Sequence, residues 1–142
     1  MPAVDTNDVL NRLLILHHRS LPMYLSYAAP WQLQAQPRTA AVLEQTVADQ
    51  KRTVDRLVAM LLENNGQLDH GEFPMSFTGL HDLSADYLIA LCIDRQKKLI
   101  NVIERYASEL NLAPFAQAAT REALGEAKGH LENLQELQAV PA

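Results

Sequence analysis

The chain has a single cysteine in 142 residues, so no disulfide can form within it. Cys92 lies in the apolar run Leu88-Ile89-Ala90-Leu91-Cys92-Ile93, which suits a small core side chain better than a reactive thiol. Basic residues are outnumbered: 12 Lys and Arg stand against 17 Asp and Glu, for a net charge of −5. That balance argues against a nucleic-acid surface, which needs clustered cations to displace counterions from phosphate. Glycine (5) and proline (7) are few, and most fall between helical stretches. No apolar run nears the roughly 18 residues of a membrane span. The segment Met1-Pro2-Ala3-Val4-Asp5 lacks the basic-then-apolar order of a leader, so a cytoplasmic protein is expected. Gly-rich phosphate loops, Cys-x-x-Cys pairs and nucleophile motifs are all missing, so no catalytic residue is assigned.

What remains is helical. Apolar residues make up 48% of a chain long enough for one domain with its own core, taken as residues 1–142. A first helix is expected from about Asp5 to about Ala29. It is capped by Asp5, Thr6 or Asn7, and its stripe is Leu10, Leu14, Leu21 and Tyr24. Pro22 falls inside that stripe and predicts a kink. Pro30–Pro37 is a short connection. A second helix runs from about Arg38 to Asn65-Gly66 on the stripe Leu43, Val47, Val54, Leu57 and Leu61. The third begins near Asp82 or Ser84, and the fourth begins at Pro114 and stops before Pro141.

Between the second and third helices, Gly66 to His81 form a link of about 16 residues without helical period, a length uncommon in compact domains. Extended, it reaches roughly 50 Å. The second helix is roughly 42 Å long. The link can therefore traverse the bundle and start the third helix parallel to the second. Short, long, short connections are the order of ferritin-like folds. Phe73, Met75, Phe77 and Leu80 offer the link apolar anchors.

Each apolar stripe is interrupted once near its middle: by His17, Gln50, Gln96 and His130 on helices one to four. Four aligned helices would put these residues in one layer. A buried polar group without a partner costs on the order of 1–3 kcal/mol, so such a layer has a purpose. It is either a hydrogen-bonded network that fixes helix register, or a site for a metal or small ligand.

The segment Asp49-Gln50-Lys51-Arg52-Thr53-Val54-Asp55-Arg56-Leu57 resembles the second-helix motif of bacterioferritin-type proteins, Glu-x-x-His followed by Ala-Asp-Arg-Leu. The resemblance implies an all-α, ferritin-like four-helix bundle. In that family, single Glu residues on helices one and three join Glu-x-x-His pairs on helices two and four to hold two irons. Here Gln50 and Thr53 stand in the second-helix pair, His17 and Gln96 at the single-Glu positions, and Ala127-x-x-His130 on helix four. Without the bridging carboxylates, di-iron chemistry is not expected. The first functional expectation is a non-catalytic, cofactor-free bundle acting by association, as a homodimer or with a protein partner. The alternative is a mononuclear Fe or Zn site built from His17, His130 and Glu126. A third is a small-ligand pocket where the helix-one kink opens the bundle.

Overall fold

The computed structural model describes residues 5–28, 35–80 and 83–139. Within them the protein is all-helical, with five α-helices, one 3-10 turn and no strand among the described residues.

Helix α1 spans Thr6–His18. The Asp5 carboxylate caps it, accepting from the backbone N–H groups of Asn7 at 3.0 Å and Asp8 at 3.3 Å. The expected single first helix is in fact two. Helix α2 spans Leu21–Ala28, and Ser20 restarts the chain as its cap, its Oγ accepting from the Met23 N–H at 3.2 Å. Pro22 therefore sits in a first turn, where its missing N–H costs nothing, and it does not bend a continuous helix. Ala29 and the segment up to residue 34 lie outside the described residues.

Helix α3 spans Pro37–Glu63, with Pro37 at its first position. Asn65 ends it in the left-handed region, φ 55°. The N–H of Gly66 then reaches the Leu61 carbonyl at 2.7 Å and that of Asn65 reaches Leu62 at 3.1 Å, the paired bonds of a Schellman ending. Helix α4 spans Ala85–Glu109 behind a Ser84 cap, whose Oγ accepts from the Tyr87 N–H at 3.2 Å. The other candidate cap, Asp82, lies outside the described residues, as does Pro141 beyond helix α5, Pro114–Ala139.

Polar contacts give the helix directions. Ser20 donates to Gln50, and Asn64 donates to Asn7, so α1 and α3 run antiparallel. Ion pairs Arg52–Glu126 and Arg56–Glu122 make α3 and α5 antiparallel. Gln96 donates to the Ala127 carbonyl and Gln117 to that of Ala107, so α4 and α5 are antiparallel too.

The link between α3 and α4 is tied down along its course. Asn11 accepts from the Asp69 N–H at 2.9 Å, and Arg19 Nε donates to the carbonyls of His70 and Gly71. Met75–Gly79 forms the 3-10 turn, which drives Phe77 into the core at 1% exposure. Met75, expected to be an anchor, is 83% exposed; the turn points its two neighbours in opposite senses.

Two apolar clusters fill the interior. One gathers Leu10, Leu13, Leu14, Leu57, Leu61 and Ile103; the other gathers Leu21, Phe77, Leu88, Ile89, Cys92 and Leu134. Each fully buried side chain of this kind stabilises the fold by about 1.5–3 kcal/mol. Leu131 packs against both clusters.

Candidate functional site

Between the two clusters lies the polar layer. His17, Gln50 and Gln96 are each 3% exposed and His130 is 5% exposed. With Thr53, Leu99, Ala123, Glu126 and Ala127 they line one small space of about 10 Å³, close to the ~10–15 Å³ that a single water needs. The room suits one water or one ion.

Most of the layer is satisfied. Gln50 accepts from the Ser20 hydroxyl at 2.6 Å, and Gln96 Nε2 donates to the Ala127 carbonyl at 3.0 Å. His17 Nδ1 stands 2.8 Å from the Leu13 carbonyl. A carbonyl only accepts, so this nitrogen carries the proton and the Nε2 lone pair is left open. Metal-binding histidines share this arrangement.

His130 is the exception. Its Nε2 is fully buried and has no hydrogen-bond partner. It lies 3.2 Å from Oδ2 of Asp49, but outside hydrogen-bond geometry. Donor atoms of Asp49, Glu126 and His130 all fall within 4.8 Å of one another. Two donors bound to one ion at roughly 2.0–2.2 Å and at the tetrahedral angle stand about 3.3–3.6 Å apart, close to the 3.2 Å between His130 and Asp49. Helix α5 supplies Glu126 and His130 one turn apart on one face, and α3 supplies Asp49 from the facing helix. His17 lines the same space but stands outside this cluster of three.

The electrostatics favour neutral imidazoles beside charged oxygens. Burial pushes the His17 pKa below its ordinary value, against the hydrogen bond to Leu13, and His130 adds to the lowering. Burial also lowers the His130 pKa, opposed by Asp49 and Glu126 and aided by Arg52. A neutral His130 has a lone pair on one ring nitrogen, the form a metal takes. The two carboxylates already share one cation: Arg52 Nη2 lies 2.9 Å from Asp49 and 3.3 Å from Glu126. Its guanidinium sits across them at the solvent side, and its pKa is raised first by Glu126 and then by Asp49.

No known protein family, curated protein or solved structure matches the chain. What the site can do therefore rests on its own donor atoms. Sequence reasoning placed Gln50 in the layer and passed over its neighbour Asp49. The available signal was charge at helical spacing: Asp49, Arg52 and Arg56 flank the α3 stripe, and Glu122 and Glu126 flank that of α5. Glu126, expected as a ligand with His17 and His130, also pairs with Arg52, while Lys128 pairs with Glu104. Cys92 carries no chemistry here; burial pushes its thiol up to about 12. His81-Asp82 and Trp31 lie outside the described residues.

Proposed function

We propose that the protein is a ferritin-like bundle that holds one divalent metal ion, Zn or Fe(II), between α3 and α5. The observation that carries this reading is the buried Nε2 of His130, which makes no hydrogen bond and lies 3.2 Å from the Asp49 carboxylate with Glu126 beside it. A buried ring nitrogen without a hydrogen bond, next to two carboxylates at ligand spacing, fits a metal donor set. One histidine and two carboxylates form a mixed N,O donor set, with His17 Nε2 as a further nitrogen in the same space.

Support for the ferritin-like part comes from helix direction. With α3 and α4 each antiparallel to α5, α3 and α4 run the same way, and the link between them crosses the length of the bundle. The residues do not fit a di-iron centre: Gln50, Gln96, His17 and Ala127 occupy the positions where bridging carboxylates would stand.

Titration with Co(II), whose visible spectrum reports its ligands, tests the site. About one ion per chain, displaced by Zn(II) and lost in His130→Ala and in Asp49→Asn, is the expected result. Saturable binding that survives both substitutions, or no binding at all, sinks the proposal. Comparing His17→Ala with these variants tells whether His17 is a ligand or a neighbour.

Association remains as a second reading, because Leu112 and Phe115, at the α4–α5 turn, are 86% and 84% exposed. Phe115 borders a hollow lined also by Arg56, Met60 and Ala113. Sedimentation is expected to show a dimer that Phe115→Glu converts to monomer; a monomer at all concentrations removes this reading.

A further inference from the structure

Among the described residues, two buried side-chain nitrogens lack a hydrogen-bond partner. One is His130 Nε2; the other is Nε of Arg95. Arg95 lies on α4 with its guanidinium 4.5 Å from the Phe77 ring centroid, and it forms no ion pair among the described residues. A guanidinium always carries charge, and half-burying it against an aromatic face without an anion is costly.

Arg95 borders a hollow of about 270 Å³. The hollow exists because the first helix breaks. Ser20, Leu21 and Pro22 form one wall, Phe77 and Pro74 of the link a second, and Arg95, Leu99 and Val102 of α4 a third. The walls are mainly apolar. Three cations reach the hollow: Arg95, Arg19 and Lys98. Of these, Lys98 is paired with Asp94 at 3.0 Å, and the Arg19 Nε is spent on the link carbonyls. Glu72 is the acidic residue at the rim, exposed and not ion-paired among the described residues. In a chain of net charge −5, this is a local excess of positive charge over an apolar floor.

We propose that this hollow binds a small amphiphilic anion, an apolar body bearing one carboxylate that pairs with the Arg95 guanidinium. A dry cavity of ~150 Å³ admits benzene, so the space here suits about ten non-hydrogen atoms. The carboxylate meets a planar fork of N–H donors, and the body replaces water against Ile15, Leu16, Leu99 and Val102. Gln96 and Leu99 line both this hollow and the polar layer, so a bound ligand touches the wall of the metal site. The proposal does not depend on a metal being bound.

Octanoate, octan-1-ol and octylammonium distinguish the contributions, measured by calorimetry with EDTA present so that the metal reading plays no part. Octanoate is expected to bind saturably and raise the thermal midpoint, with octan-1-ol weaker by at least about tenfold and octylammonium inert. Arg95→Gln abolishes the preference for octanoate over octan-1-ol, while Arg12→Gln, at an exposed cation that does not line the hollow, leaves it unchanged. Should Arg95→Gln fail to fold, Val102→Phe fills the hollow with Arg95 intact, and octanoate binding is lost in a folded protein. Equal binding of acid and alcohol, no saturable octanoate binding, or unchanged octanoate binding in Val102→Phe each overturns the proposal.

Discussion

At the scale of single residues, Arg52 is the built-in competitor of any metal. Its guanidinium neutralises Asp49 and Glu126 from the solvent side, yet its side chain is 66% exposed and free to swing away. An exposed pair of this kind is weak and screened by salt, far weaker than a good metal bond set. Arg52→Gln is therefore expected to tighten Co(II) binding, by about fivefold at most. Weaker binding in that variant would mean that the arginine supports the site. His17 sets a second test. Its folded pKa is depressed by burial, so the unfolded chain binds more protons as pH falls. The stability it contributes is complete above about 6.5, the ordinary histidine value, and is lost as pH drops through it. His130 and His18 shift in the same direction, also through burial. Urea midpoints measured without metal are expected to fall between about pH 7.5 and 5.5, and less steeply in His17→Gln. Of the site, the buried layer was legible because an interruption in an apolar stripe is visible in one sequence. Asp49 was not, since it lies beside the stripe and only the facing α5 gives it a role.

At the scale of elements, the link between α3 and α4 depends on Gly71. Its φ is +66°, and a Cβ there would meet Ile15 Cγ2 at 2.8 Å. The left-handed backbone alone costs about 1–2 kcal/mol for an L side chain. Gly71→Ala is expected to lower stability by about 2 kcal/mol or more. Gly79→Ala, with nothing within 4 Å of the added carbon, is the matched control and leaves stability close to native. Equal midpoints for the two variants would show that the link does not brace α1. The helices themselves were largely readable: caps at Asp5 and Ser84, the proline start at Pro114 and the Asn65-Gly66 ending act as expected, while Pro37, expected to close the connection, opens α3 instead. The break at Arg19-Ser20 escaped because Leu14, His17, Leu21 and Tyr24 keep helical spacing across it. Periodicity records which face is apolar and is blind to one turn of lost hydrogen bonds, so from the sequence Pro22 reads as a kink.

At the scale of the whole molecule, no helix is long and apolar enough to cross a membrane among the described residues. The interior is two apolar clusters with a polar layer between them. Leu14, fully buried in one cluster, and Leu88, fully buried in the other, share no cluster neighbours apart from the bridging Leu131. Truncation of either to Ala is expected to cost about 2–5 kcal/mol. Because the sites are separated by the layer, the double variant should lose the sum of the two within ~0.5 kcal/mol. A larger coupling energy, read from chemical denaturation of the four proteins in the cycle, would mean that the layer transmits packing strain. Additivity has a consequence for the history of such a chain. The polar seam partitions mutational risk, so one end of the bundle can drift in sequence, or open a pocket at a broken helix, without retuning the other.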